Sequence, residues 1–336
     1  MALDNTQVIF KARPTGWVDD SHFEIRTVPA GEPADGEVLV KNLYMSVDPY
    51  MRGRMREGRS YVAGFELGKV LQAGVVGVVV KSRDKDTPEG TFVNGTFGWE
   101  QYSVVRARGL RKVDPDAAPL SYYLGVLGMP GMTAWVGLET IGKPQAGETV
   151  YVSAASGAVG QVVGQIAKLK GCRVTGSAGS DDKVAYIVDE LGFDAGFNYH
   201  QAESLSKALR GVCPDGIDVY FENVGGRMLD AVLTQVNVRA RIVACGMISQ
   251  YNLQKPEGVH NLMTIVGNRV LMQGFIVSDH YDRLPEFEQQ MAGWLREGKV
   301  KYHESVTEGI ENAPRAFIGM LKGENFGKAV VHIADA

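Results

Sequence analysis

TVYVSAASGAVGQVVGQIAKLKG, residues 149–171, is the stretch on which the reading of the fold turns. Thr149 to Ser153 is a short apolar run of β-prone residues, the length of one buried strand. Small residues follow in Ala155-Ser156-Gly157-Ala158-Val159-Gly160, and then Val159, Val162, Val163 and Ile166 recur at i, i+3, i+4 and i+7, the spacing of one helix face. Strand, side-chain-poor turn and sheet-facing helix together open a nucleotide-binding unit. The turn is a Gly-x-Gly-x-x-Gly variant in which Ala155 replaces the first glycine. Without large side chains, the backbone N–H groups of Gly157, Ala158, Val159 and Gly160 can approach a pyrophosphate at the positive end of the helix.

Downstream, the same alternation continues. Apolar runs at Arg173 to Gly176, Ala195 to Tyr199, Ile217 to Asn223, Arg241 to Gly246 and Arg269 to Val277 are separated by helix-period stretches or glycine-rich turns. In the first of these helices Ser180 is the expected N-cap, Val184, Ile187, Val188 and Leu191 form the stripe, and Gly192 ends it. The pattern predicts an α/β fold with a doubly wound parallel (Rossmann) sheet. Upstream the text is different: Val-rich runs at Glu37 to Asn42, Gly74 to Val80, Phe92 to Phe97 and Gln101 to Val105, punctuated by Gly, Pro and Asp, predict a β-rich domain. Strands at Tyr302 to Val306 and Ala329 to Ile333, around a helix at Ala313 to Leu321, are expected to return to it. The expected domains are therefore 1–124 with 298–336, and 125–297.

Composition excludes several partners. With 35 basic and 39 acidic residues the chain has no electrostatic footprint for nucleic acid or an anionic membrane surface. The longest aliphatic run, Ala73 to Val80, is too short to span a bilayer, and no signal peptide is readable in the first 20 residues. Cys172, Cys213 and Cys245 are odd in number and far apart, so neither a disulfide framework nor a metal knuckle is expected. A reducing, cytoplasmic setting follows.

Cofactor choice is written about 20 residues beyond the turn, where NAD-binding folds place an acid on the ribose 2′-hydroxyl. Here Thr175 is followed by Gly176-Ser177-Ala178-Gly179, and the first acids, Asp181 and Asp182, fall inside the next helix. Lys183 comes directly after them and can meet a 2′-phosphate. NADPH is favoured over NADH.

Six segments carry a family resemblance: Ser46-Val-Asp-Pro-Tyr-Met-Arg52, Gly128-Met-Pro-Gly-Met-Thr-Ala134, the glycine-turn stretch from Ala154 to Gly171, Phe221-Glu-Asn-Val-Gly-Gly226, Gly246-Met-Ile-Ser-Gln-Tyr-Asn252 and Gly323-Glu-Asn-Phe-Gly-Lys328. By these the chain resembles the zinc-independent medium-chain dehydrogenase/reductases of the alkenal double-bond reductase group, which includes prostaglandin and curcumin reductases. The resemblance implies that the β-rich domain is GroES-like and that the protein is a homodimer. It implies that Gly157, Ala158, Val159 and Gly160 hold the pyrophosphate, and that Lys183 and Tyr199 meet the 2′-phosphate. Asn223, the segment Cys245, Gly246, Ile248, Ser249 and Tyr251, the segment Phe275, Ile276 and Val277, and Asn325 are expected around the adenosine ribose, nicotinamide and amide.

The same resemblance frames the metal question. Alcohol dehydrogenases of that superfamily bind catalytic zinc through Cys and His in the N-terminal domain, whereas this chain has Ser46 near the expected Cys and Gly64-Phe65-Glu66 where the His would stand. No metal is expected, and hydride addition to an activated alkene does not require a Lewis acid. The implied reaction is NADPH-dependent hydride transfer to the β-carbon of an α,β-unsaturated aldehyde or ketone. An oxyanion then forms that needs a donor. Tyr251 is the expected one, with Tyr50 of Asp48-Pro49-Tyr50 shaping the substrate pocket. A zinc-free quinone oxidoreductase and a noncatalytic NADPH-binding protein remain alternatives on the same fold.

Overall fold

A computed structural model describes residues 3–336. The chain forms two units, one holding the residues up to Gly125 and those from Glu304 to Ala336, the other Val126–His303. The first opens with an antiparallel hairpin, β1 (Asp4–Phe10) and β2 (Phe23–Pro29). After it come β3 (Glu37–Ser46), the short helix α1 (Tyr50–Arg54), β4 (Gln72–Ser82), β5 (Phe92–Gly98), β6 (Tyr102–Arg106) and β7 (Arg111–Lys112). β3 outruns the predicted stretch because Leu43 and Met45 continue its buried side, and it pairs with both β4 and β6.

The second unit alternates strand and helix. It contains α2 (Met129–Gly137), β8 (Thr149–Val152), α3 (Gly160–Leu169), β9 (Arg173–Ala178), α4 (Asp181–Ala185), β10 (Ala195–Asn198), α5 (Leu205–Val212) and β11 (Ile217–Glu222). It continues with α6 (Gly226–Leu233), β12 (Val236–Ala244), α7 (Met263–Gly267), β13 (Leu271–Gly274) and α8 (Leu284–Arg296). All its strand pairs are parallel, in the order β10-β9-β8-β11-β12-β13. Counted from β8 this is 3-2-1-4-5-6, the doubly wound order, whose winding reverses between β8 and β11. β8 is buried along its whole length, as a strand covered on both faces must be. The chain then re-enters the first unit through β14 (Glu304–Glu308), α9 (Ala313–Leu321) and β15 (Lys328–His332), giving the sheet order β14-β15-β3-β4-β5-β7. No helix among the described residues is long and apolar enough to cross a membrane.

Local departures from the predicted elements have physical causes. Val159 does not join the buried stripe of α3; it precedes the helix on the partly exposed turn, and Val162, Val163, Ile166 and Ala167 make the contact with the sheet. Ser180 does cap α4, accepting the Lys183 N–H, but past Ala185 the helix widens into an i to i+5 turn over Tyr186–Glu190 before Gly192 ends it at φ 74°. The predicted run at Arg269 shortens to β13, since Arg269 itself sits at φ 52°, outside strand geometry. Tyr302 lies outside β14 because its neighbours are held by side chains instead of by a strand. Gln165 exchanges two bonds with the Lys301 backbone (2.8 and 2.7 Å) and Gln161 two with that of His303 (3.2 and 3.1 Å).

Candidate active site

The second unit gathers most of the predicted site residues at the carboxyl ends of its parallel strands. After β8 the chain turns through Ala154 in left-handed geometry (φ 49°), and a Cβ on Gly160 would lie 2.4 Å from the Ala154 carbonyl oxygen. Gly160 therefore admits no side chain, while Gly157, Ala158 and Val159 leave partly exposed backbone at the start of α3. Ala155 fits where the motif has glycine because Gly176 makes room; a Cβ at Gly176 would come 2.5 Å from that of Ala155. Gly164 lets α3 close onto Phe193, whose ring stands 1.9 Å from its would-be Cβ. A cradle of mostly small, uncharged residues at a helix N-terminus fits a pyrophosphate.

At the next strand ends stand Lys183 and Tyr199, the residues expected at the 2′-phosphate. Lys183 is half-buried in the first turn of α4, and burial pulls its ammonium below the ordinary lysine value, so an anion would be a favourable neighbour. Beside it Tyr199 follows β10, with its hydroxyl 2.9 Å from the would-be Cβ of Gly179 and its ring against His200. The acid nearest this corner is occupied: the Asp181 carboxylate accepts from the side-chain amides of Asn198 and Gln201, both at 2.9 Å. Those bonds hold it below the usual carboxylate range.

At the ends of β11 and β12 the turn 222–226 and the segment 245–251 are zipped together. Cys245 N and Gly246 N donate to the Glu222 carbonyl (both 3.0 Å), Ile248 N to Asn223 O (3.1 Å) and Ser249 N to Val224 O (3.0 Å). Asn223 reaches back to β8 through Nδ2 to Ser153 O (2.8 Å). Tyr251 is half-buried with its hydroxyl oxygen accepting the Met247 N–H at 3.4 Å, and burial pushes its phenol pKa up, which keeps it protonated as a donor must be. Burial likewise pushes the Cys245 thiol up to about 12. Phe275 and Ile276 leave β13 as loop, and Val277 begins a 3-10 turn.

Tyr50 and Asn325 belong to the first unit. Tyr50 starts α1 and hydrogen-bonds the buried Arg54, whose guanidinium also packs 4.1 Å over the Phe65 ring and donates to Gln72 (3.0 Å). Asn325 closes its own loop by donating to Gly327 O (2.7 Å). Ser46, near the position of a zinc-ligating Cys in the metal enzymes, hydrogen-bonds Asp48, which pairs with the buried Lys328 (3.2 Å). The described residues contain no group of three or more His, Cys, Asp or Glu able to hold a metal ion.

Sequence reasoning passed over Glu222 as the end of a strand. It is fully buried, its Oε1 accepts from Val224 N (2.6 Å) and Gly225 N (2.8 Å), and Ser153 Oγ stands at 3.4 Å. A glutamate ending a buried β-run and followed by Asn-Val-Gly-Gly was the available signal.

Two family models match, an N-terminal domain of oxidoreductases over residues 6–113 and a zinc-binding dehydrogenase over residues 158–295. The chain is 48% identical to a NADP(+)-dependent 2-alkenal reductase of Nicotiana tabacum, covering 99% of this chain and 98% of that one. It is 43% identical to the NADPH-dependent curcumin reductase of Escherichia coli, over 98% and 97% of the two chains. Among solved structures, CurA of Vibrio vulnificus in complex with NADPH superposes with a TM-score of 0.93 at 42% identity, covering 98% of this chain and all of that one.

Proposed function

This chain belongs to the alkenal double-bond reductase group of the medium-chain dehydrogenase/reductases, and from that premise we propose that it reduces the C=C bond of α,β-unsaturated aldehydes and ketones with NADPH. The observation that carries the residue assignment is the position of the Tyr251 hydroxyl, its oxygen accepting the Met247 N–H in the segment after β12 that is bonded to the turn following β11. When bound, NADPH supplies the hydride that the β-carbon of the substrate accepts. An enone reduced at that carbon gathers negative charge on its carbonyl oxygen, and the Tyr251 hydroxyl donates to that oxygen. The Met247 N–H, bonded to the same hydroxyl oxygen, orients it and polarises its O–H. The proton that completes the α-carbon comes from Tyr251 or from water.

The chain's own residues divide the cofactor between them. Gly157 to Gly160 offer N–H groups to the pyrophosphate, and Lys183 with Tyr199 takes the 2′-phosphate. Asn223, Cys245 to Tyr251 and Phe275 to Val277 accommodate the nicotinamide half. Asn325 and Tyr50 are the first unit's contributions, Asn325 to the cofactor and Tyr50 to the substrate. No zinc enters this assignment, since Ser46 and Gly64-Phe65-Glu66 occupy the ligand positions.

Two further features are part of the proposal. The three cysteines are free thiols, which supports a cytoplasmic setting. The outer edge of β13 carries no further strand among the described residues, and around it Leu271, Met263 and Val266 are exposed, the last two by 79% and 73%. An apolar sheet edge of this kind supports a homodimer formed by a second copy.

The test is NADPH oxidation, in the presence of a metal chelator, across alkenals, enones, quinones and saturated aldehydes. Turnover confined to alkenals and enones is expected. Preference for quinones, or NADPH binding without turnover of any of them, would overturn the proposal in favour of the two alternatives.

A further inference from the structure

We propose that Glu222 is a positioning residue that shapes the nicotinamide half of the site, an inference resting on the NADPH assignment above. Glu222 ends β11, the strand beside β8 where the sheet reverses its winding, and its side chain is fully buried. One carboxyl oxygen, Oε1, accepts the N–H groups of Val224 and Gly225 at 2.6 and 2.8 Å. Those bonds close a turn with no conformational preference of its own, since Gly225 and Gly226 follow in succession at φ 74° and 53°.

The position of that turn is passed on. A Cβ on Gly225 would lie 2.8 Å from the Met247 side chain, so turn and segment are in close contact there. Asn223 O and Val224 O take the N–H groups of Ile248 and Ser249 at 3.1 and 3.0 Å. On the β8 side, Ser153 Oγ receives Asn223 N and the Tyr220 hydroxyl, both at 3.0 Å. The carboxyl of Glu222 thereby sets the turn, the turn sets residues 247–251, and Tyr251 is carried by that segment. The pyrophosphate turn meets the carboxyl only through Ser153, whose Oγ stands 3.4 Å from Oε1 and whose own backbone is held by Phe221 O, and the Lys183–Tyr199 corner is built from other bonds.

This separation gives the experiment. Binding of NADPH and of 2′,5′-ADP, which lacks the nicotinamide half, is measured by calorimetry for the wild type, E222M and E222Q. Methionine leaves two buried N–H groups without an acceptor, so E222M should lose ~10- to 100-fold in NADPH affinity while 2′,5′-ADP affinity stays within about twofold. Glutamine keeps an oxygen acceptor, and E222Q should bind both ligands within about threefold of the wild type. Equal losses for both ligands in E222M, no loss in E222M, or a loss in E222Q as large as in E222M would each overturn the assignment. Hydrogen exchange on the wild type provides a measurement independent of variant folding: protection of the Val224 and Gly225 amides supports the role, and rapid exchange there contradicts it. A wild type that binds 2′,5′-ADP and NADPH equally weakly contradicts the cofactor assignment itself.

Discussion

At the residue scale, two side chains divide affinity from chemistry. Lys183 is proposed from the sequence because it follows a strand end that lacks an acid, and the structure shows the Asp181 carboxylate, two residues before it, held by two side-chain amides. Replacing Lys183 by Ala removes a charge-assisted contact to the 2′-phosphate, and NADPH affinity should fall by ~10- to 100-fold with NADH affinity almost unchanged. Equal losses for both cofactors in a titration of each would show instead that Lys183 acts through the fold. Tyr251→Phe keeps the ring and deletes the donor; hydride transfer should slow by ~100- to 1000-fold with NADPH binding retained. Single-turnover kinetics with an enone reads this directly, and an unchanged rate would leave Tyr251 as a packing residue. Stability should change by less than ~1.5 kcal/mol, because the ring is kept and the bond from Met247 N is long at 3.4 Å. Glu222 escaped sequence reasoning because complete burial of a carboxyl is a property of neighbours brought together from β8, β11 and β12, which no local pattern records.

Elements were most legible where a stripe and its caps coincided in the sequence. The stripe Val162, Val163 and Ile166 and the caps Ser180 and Gly192 are local signals, and those elements formed where expected. The start of β14 was less legible, because the backbone at Lys301 and His303 is claimed by the glutamines of α3, a long-range contact. Helices α2, α5, α6 and α8 also went unmarked; α2 is buried nearly all round and so carries no one-sided stripe, whereas α5 and α6 have such a stripe on only eight residues each. β13 has a consequence of its own: an edge strand with exposed Leu271, flanked by exposed Met263 and Val266 of α7, is costly to leave in water. Light scattering should give twice the chain mass of 36.5 kDa for the wild type and a shift toward the single mass for Leu271→Lys. A wild type that scatters as a single chain would remove the homodimer from the account.

On the scale of the whole molecule, the sequence divided into β-rich and alternating text, and the structure has two units with boundaries at Gly125 and Glu304. Tyr50 on α1 and Asn325 before β15, both in the first unit, are proposed through resemblance alone, since neither lies in a pattern that elementary physical chemistry singles out. What the whole chain is built to do reduces to where a hydride goes. An enone offers two electrophilic carbons, and a phenol at the carbonyl oxygen stabilises the charge that attack at either one develops; the carbon set against the nicotinamide takes the hydride, and in the assignment above that is the β-carbon. The decisive measurement is therefore turnover of an enone with NADPH deuterated at the transferring position of the nicotinamide, followed by mass and NMR analysis of the product. Deuterium at the β-carbon of a saturated ketone is the predicted result; deuterium at the carbonyl carbon of an allylic alcohol would contradict it.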